Sequence, residues 1–168
     1  LYISLDECDN SNDMWRIIGK GIRKELKKQF HSSDKYTNFI DELDFEDVDE
    51  NNIDYEYVCS VARCMKASGF LGLILIDEFD NFSTIATKGT VGQVRTLFSG
   101  SEYGLRAVVA SRRMVERIEK EVEGALNSNV SILASTFVNG YKLKAFNEDD
   151  MKDYWVSIEE KIGVAVSN

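Results

Sequence analysis

Acidic side chains follow the most hydrophobic run of the sequence. The run Phe70–Ile76 is bounded by Gly69 before it and by Asp77-Glu78-Phe79-Asp80 after it. A run of this length is too short for a good helix and suits a central strand covered on both faces. Ligands bind at the carboxyl edge of open parallel sheets, so these acids lie where chemistry is expected.

Desolvated carboxylates at such an edge need a cation opposite them, and Mg²⁺ is the usual one. We expect Asp77 to hold the metal, directly or through water, and Glu78 to polarise a water molecule for attack on phosphorus. A strand that simply ends in solvated acids remains an equal alternative on this motif alone.

A second apolar run ends in a hydroxyl residue and two arginines. Leu105–Ala110 is followed by Ser111-Arg112-Arg113, and Ser111 stands 34 residues after Asp77, which leaves room for one crossover helix. Ser111 can hydrogen-bond a phosphate or the attacking water, and a guanidinium can neutralise terminal phosphate charge. The plainer interpretation is surface charge at a helix start, but cations are disfavoured there unless an anion lies nearby. The two strand ends are therefore expected to face one crevice.

The elements that must position these residues alternate between strand and helix. The first residues, 1–5, read as a strand, and apolar residues at helical spacing predict helices over about 14–30, 55–65, 90–98 and 115–126. Weaker patterns predict a short helix near 36–43, a last strand at 141–143 and a helix that begins after Asn147. This order predicts an α/β fold with a parallel sheet, flanking helices and right-handed crossovers.

The net charge of −9 belongs to one segment. Nine acidic residues and no basic ones lie between Asp41 and Glu56, and the rest of the chain is neutral. We interpret this segment as a solvated loop, with a docking strip for a basic partner as the alternative. The basic face of the first predicted helix has no interleaved aromatic residues, so nucleic acid as a partner is unsupported.

Other site classes fit the composition poorly. Three cysteines and one histidine, without metal-type spacing, favour buried thiols in a reducing cytosol over disulfides or zinc. No apolar run approaches the roughly 18 residues that a membrane span needs. We therefore expect a cytoplasmic protein that does not contact membranes.

The order of the motifs resembles that of AAA+ and STAND P-loop ATPases. Leu73–Asp80 resembles their Walker B strand, and Ala110-Ser111-Arg112 resembles their sensor strand. The segment 141–150 is similar to the last core strand leading into the helical lid, and Leu1–Asp6 resembles the strand after the P-loop helix. The resemblance covers most of the chain in the family's order.

This resemblance implies a P-loop NTPase-like core, incomplete because it lacks the P-loop strand, at residues 1–146. An acidic insertion lies near 41–56, and 147–168 begin a helical lid. It implies ATP binding and hydrolysis with Mg²⁺ and ATP as cofactors, coupled to conformational change, and a protein partner or self-association.

The resemblance also implies roles for individual residues. Asp77 becomes the magnesium ligand, Glu78 the water-activating base, and Ser111 with Arg112 the sensor of the γ-phosphate. Asp80 becomes an orienting acid, and Asp6 and Glu7 are expected near the same edge of the sheet.

The glycine-rich phosphate loop of that family is missing from the 168 residues. Gly19-Lys20-Gly21 imitates it, but Met14 stands where the first glycine belongs and Gly21 replaces the hydroxyl residue. This site also lies within a predicted helix, so we reject it. We expect the loop and its strand upstream of Leu1, in a longer chain of which this sequence is a part.

Two other functions stay open. One is a nucleotide-gated or nucleotide-free interaction scaffold without catalysis. The other is a Mg²⁺-dependent phosphoesterase or nuclease that uses Asp6, Asp77, Glu78 and Asp80, which the lack of a strong basic patch beside these acids disfavours.

Overall fold

A computed structural model describes residues 1–30, 49–127 and 133–137, and the single residues 140, 147, 149 and 152. The strands are β1 (Tyr2–Ser4), β2 (Gly72–Asp77) and β3 (Leu105–Val109). The α-helices are α1 (Ser11–Phe30), α2 (Tyr55–Ala67), α3 (Phe82–Ile85), α4 (Lys88–Ser99) and α5 (Val115–Leu126). Single 3-10 turns cover Leu5–Glu7, Glu50–Asn52 and Phe79–Asn81.

The three strands form one parallel sheet in the order β1-β2-β3. Ile76 of the central strand lies opposite Ile3 of β1 and Val109 of β3. The predicted α/β class, with a parallel sheet and flanking helices, is confirmed within the described residues. Each strand is followed by helix before the next strand begins, which brings all three carboxyl ends to the same edge.

Helix α1 begins where the sequence supplies a cap and an apolar stripe. The Asn10 side chain accepts hydrogen bonds from the backbone N–H groups of Asn12 and Asp13, at 2.9 and 3.1 Å, which satisfies two unpaired donors of the first turn. The apolar residues of the stripe are buried in the core: Met14, Trp15, Ile18, Ile22 and Leu26.

The rejected phosphate-loop candidate lies in the middle of α1. A Cβ atom at Gly19 would collide with Ile53, and one at Gly21 would lie 2.6 Å from Leu1 Cδ1. These glycines therefore permit close packing against the helix and do not form a loop around an anion.

Side chains also cap helices α2 and α4. Asp54 accepts from the backbone N–H of Tyr57 at 2.9 Å, and Thr87 and Thr90 form a reciprocal capping box. Helix α2 buries Val58 and Ala62 against the core. The short helix α3 is absent from the sequence prediction because a single turn carries too little periodicity to detect.

In the part of the chain that the structure describes, the sheet is covered on one face, and the expectation that the central strand is buried on both faces is wrong. Ile74 and Ile76 are buried, whereas Leu73 is 52% exposed and Leu75 43% exposed. The register places Tyr2, Leu75 and Val108 in one row, and all three are exposed. The physical reason is the direct strand order, because successive right-handed crossovers in one direction place their helices on the same face.

Several predictions lie outside the described residues. These are the helix near 36–43, the strand at 141–143, most of the acidic segment and most of the helix after Asn147. The chain divides into two compact units, Leu1–Val138 and Asn139–Asn168, so the expected boundary at 146/147 stays a prediction.

Two of the cysteines lie in the core. Cys8 and Cys59 are buried and not in disulfides, and burial raises the pKa of Cys8 to about 11. Among the helices that the structure describes, none combines the length and apolar character needed to cross a membrane.

Candidate functional site

The end of β2 turns sharply at Glu78. Its backbone is left-handed, with φ 50° and ψ 41°, and its N–H donates to Asp77 Oδ1 at 2.8 Å. A non-glycine residue in this conformation costs on the order of 1–2 kcal/mol and persists only where surrounding contacts enforce it. Here the next residue, Phe79, is buried and its ring stacks on Phe82 at 5.0 Å.

The ends of β2 and β3 are joined by backbone hydrogen bonds. The N–H of Ala110 donates to the Ile76 carbonyl at 2.8 Å, and the N–H of Phe79 donates to the Ala110 carbonyl at 3.0 Å. The residues just past the two strands are therefore held side by side. The expectation that both strand ends face one crevice is confirmed.

The crevice is a cleft of about 210 Å³ between the acids of β2 and the polar residues of β3. Its lining residues are Asp77, Glu78, Asp80, Ala110, Ser111 and Arg112. All four residues predicted to act on a phosphate and its metal thus line one cleft.

An ion pair crosses the cleft. The Arg112 guanidinium donates to Glu78 Oε2 at 3.0 Å, with the Arg112 side chain 76% exposed and that of Glu78 34% exposed. So open a pair adds little stability by itself. Ser111 is turned toward the backbone, because its hydroxyl donates to the Arg113 carbonyl.

Asp80 has a buried carboxylate with both oxygens occupied. The residue is only 3% exposed; Oδ1 accepts from Arg113 Nε at 2.7 Å, and Oδ2 accepts from the Arg112 backbone N–H at 2.8 Å. Burial raises the pKa of Asp80, but the hydrogen bonds from Arg113 and the Arg112 amide outweigh it, so the pKa lies below its usual value. Asp80 is therefore a charged anchor and does not face the cleft as a free acid.

Arg113 joins three elements through its guanidinium. Besides the Asp80 carboxylate, it donates to the Asp80 carbonyl at 2.8 Å and to the carboxylate of Glu121 on α5. The hydrogen bond to Asp80 raises the pKa of Arg113. The alternative that the arginines are solvated surface charge therefore fails for Arg113.

Asp77 is held from the neighbouring strand. The Tyr2 hydroxyl donates to Asp77 Oδ2 at 2.8 Å, and this hydrogen bond, with that from the Glu78 N–H, lowers the pKa of Asp77. The same contact raises the pKa of Tyr2. Asp77 is consequently charged and fixed in orientation at the edge of the sheet.

Asp77 is the residue of this cleft that could hold a metal ion. Mg²⁺ commonly takes one or two carboxylates and completes its shell with water and substrate phosphate, so Asp77 would be the residue to hold it. Across residues 1–30, 49–127 and 133–137, no group of three or more His, Cys, Asp or Glu side chains could hold a metal ion.

Asp6 lies near the same edge but faces another partner. Its carboxylate accepts a hydrogen bond from the side-chain amide of Asn81, and the turn Leu5–Glu7 contacts the turn Phe79–Asn81. The expectation that Asp6 and Glu7 lie near this edge is met, but Asp6 does not line the cleft.

Sequence reasoning missed the supporting residues. Tyr2 and Glu121 were not singled out, and the role of Arg113 was not assigned. One signal existed for Arg113, since a cation at a helix start requires a nearby anion.

Comparison with known proteins adds no assignment, because no family model, no curated protein and no solved structure matches this sequence.

Proposed function

We propose that this chain is part of an ATP-binding and ATP-hydrolysing P-loop ATPase of the AAA+ or STAND type, which couples nucleotide state to conformational change. One observation carries the proposal. Glu78 and Arg112, which follow neighbouring parallel strands, meet at 3.0 Å across a cleft that Asp77 also lines. A carboxylate base and a guanidinium that can neutralise phosphate thus face the same small volume.

The proposed roles are those that the resemblance implies. Asp77, held charged by Tyr2, would hold Mg²⁺, which when bound neutralises phosphate charge. Glu78 would accept a proton from the attacking water, and Arg112 would bind the terminal phosphate. Ser111 would join Arg112 once its hydroxyl turns from the Arg113 carbonyl. A phosphate that binds Arg112 draws the guanidinium from Glu78 and leaves that carboxylate available as a base.

The proposal includes a glycine-rich loop upstream of Leu1. Its backbone donors and lysine would hold the phosphates that the described cleft by itself has too few donors to hold. If the natural coding sequence upstream contains no G-x-x-x-x-G-K-[ST] followed by a helix, the proposal fails.

The kinetic test uses the full-length protein and Glu78→Gln. Removing the base should lower kcat for ATP by about 100-fold or more, while the Kd for MgATP changes by less than about threefold. Glu116→Gln, at an exposed position in the first turn of α5, is the matched control and should leave both constants unchanged. Activity retained in Glu78→Gln would reject Glu78 as the base.

A non-catalytic, nucleotide-gated scaffold is the second candidate. The Glu78–Arg112 pair favours it, because a carboxylate that is neutralised by a guanidinium is a poor base for activating water. Tight MgATP binding with no turnover, unaffected by Glu78→Gln in both binding and biological output, would select the scaffold.

A Mg²⁺-dependent phosphoesterase built on four acids finds little support in the contacts. Glu78 contacts Arg112, Asp80 contacts Arg113, and the carboxylate of Asp6 contacts Asn81. The Tyr2 hydroxyl occupies Asp77, so each of the four carboxylates already contacts another side chain.

A further inference from the structure

Three hydrogen bonds from one loop converge on Asp80. They come from the Arg112 N–H, the Arg113 Nε and the Arg113 Nη2, at 2.8, 2.7 and 2.8 Å, and they reach Oδ2, Oδ1 and the carbonyl respectively. Asp80 lies three residues beyond the end of β2, whereas the donors follow β3. This contact therefore links the two strand ends independently of the sheet.

These hydrogen bonds fix the orientation of the loop after β3 relative to Asp80 as well as its distance. Both carboxylate oxygens are used, and the guanidinium is held at two of its nitrogens, so the Asp80 side chain and the loop cannot rotate separately. The bond from the Arg112 N–H holds the backbone from which the Arg112 side chain extends toward Glu78. Arg113 adds a bond to Glu121, which ties the loop to α5.

Because Asp80 is buried, the loss of one of its hydrogen-bond partners is costly. The residue is 3% exposed, so a partner lost here leaves a buried polar group without solvent to replace it. By contrast the Glu78–Arg112 pair is open to solvent and cannot hold its own geometry. The position of Arg112 must therefore come from the buried contact beneath it.

We infer that Asp80 and Arg113 are positioning residues: their contact, here called the Asp80–Arg113 tether, holds the loop after β3 so that Arg112 faces Glu78. The inference rests on the proposed function for its catalytic consequence. Neither residue is assigned contact with the reacting atoms; both act through Arg112.

Two conservative substitutions break the tether in different ways. Asp80→Asn is nearly isosteric but turns one of the two acceptor oxygens into an N–H₂ group that faces an N–H donor. Arg113→Lys keeps the charge but loses the fork that contacts carboxylate and carbonyl together. Arg117→Lys is the matched control, since Arg117 lies on α5, is 73% exposed and contacts Glu121 at 3.5 Å.

The first measurement follows the loop itself, by amide hydrogen exchange in the full-length protein. Asp80→Asn and Arg113→Lys should speed exchange of the Arg112 amide by about tenfold or more, the factor that a charge-assisted hydrogen bond supplies. The Ala110 amide, which donates to Ile76, should exchange at its normal rate. An unchanged Arg112 amide, or an equal acceleration at Ala110, would overturn the inference in favour of ordinary stabilisation.

The second measurement separates positioning from stability. Asp80→Asn should lower kcat for ATP by about tenfold in the natural background, with little change in KM, and should cause no further loss when Arg112→Ala is already present. The same factor in both backgrounds would show that Asp80 does not act through Arg112.

The two measurements can reject the proposed function and the tether independently of each other. If the full-length protein neither binds nor hydrolyses MgATP, the proposed function is wrong, yet amide exchange still decides whether the tether holds the loop. If ATP is hydrolysed but kcat is the same in Asp80→Asn, the tether has no catalytic role while the proposed function stands.

Discussion

At the scale of single residues, the site is tuned by side chains from neighbouring elements. Asp77 accepts from Tyr2, whose strand pairs with β2 so that Ser4 lies opposite Asp77. Because this hydrogen bond favours the charged form, it lowers the pKa of Asp77 and raises that of Tyr2. The hydroxyl of Tyr2, two residues before the residue opposite Asp77, thus keeps the Asp77 carboxylate ionised.

Tyr2→Phe should therefore raise the pKa of Asp77 toward its ordinary value. A carboxylate whose folded pKa is depressed stabilises the fold above its ordinary pKa, and this contribution is lost as the pH falls through the folded pKa. Removing the hydroxyl should make the stability of the folded chain less dependent on pH in that acidic range. Carboxyl-carbon NMR titration of Asp77 in both proteins measures the change directly.

Tyr103→Phe is the matched control, because that buried hydroxyl accepts from Arg63 at 3.0 Å and does not contribute to the pKa shift of Asp77. An Asp77 titration curve that is the same in the natural protein and in Tyr2→Phe would contradict the assigned cause of its pKa shift.

The residues predictable from sequence are those fixed by position along a strand. Asp77, Glu78, Ser111 and Arg112 could be identified because each stands directly after or near the end of a hydrophobic run. The partner of Asp80 could not, since it depends on the left-handed turn at Glu78 and on the path of the loop after β3. No local pattern encodes a contact between residues 33 positions apart.

At the scale of the elements, the periodicity of the sequence predicts the strands and long helices well. The predicted faces of α1 and α2 are the faces that the structure buries, through Ile18 and Val58 among others. The exposed side of β2 was not predictable, because Leu73 and Leu75 are as hydrophobic as their buried neighbours. A continuous apolar strand implies two covered faces, but only strand order tells which face the helices occupy.

This asymmetry predicts unequal costs for adjacent residues in one strand. Ile74 is 1% exposed and Leu73 is 52% exposed. Ile74→Ala should lower the free energy of unfolding by about 2–5 kcal/mol, as expected for a buried aliphatic side chain, and Leu73→Ala should lower it by about 1 kcal/mol or less. Urea unfolding of the two variants of the 168-residue chain measures both values.

The two substitutions control each other, because they lie in the same strand and delete the same number of aliphatic carbons. If Leu73→Ala costs as much as Ile74→Ala, the exposed face is covered in solution and the strand has the two-sided burial that its sequence implies.

At the scale of the whole molecule, two features have opposite effects on association between copies of the chain. The negative net charge repels a second copy, and the exposed apolar face of the sheet attracts it. The net charge of the chain is −9, and nine of its acidic residues lie in the segment from Asp41 to Glu56. The exposed face carries large apolar side chains on three strands, including Tyr2, Leu73 and Val108. Charge repulsion acts over a Debye length of about 10 Å at 0.1 M salt but about 3 Å at 1 M, whereas apolar contact is not screened.

Raising the salt concentration should therefore cause the 168-residue chain to associate. Sedimentation velocity should show one slow species at about 0.05 M NaCl and larger species at about 1 M NaCl. Leu73→Lys with Val108→Lys should abolish the larger species. Both lysines make the net charge less negative, so a stronger repulsion between whole chains cannot explain the loss of the larger species.

Met114→Lys tests whether the association depends on the exposed face of the sheet or on any exposed apolar residue. Met114 is 74% exposed but precedes α5 and lies outside the sheet, so its substitution should leave the salt-induced association intact. If Met114→Lys suppresses association as strongly as the double substitution, the attraction is not specific to the uncovered sheet. If the natural chain sediments identically at both salt concentrations, that face is covered when the chain is in solution, and the one-sided burial of β2 is wrong.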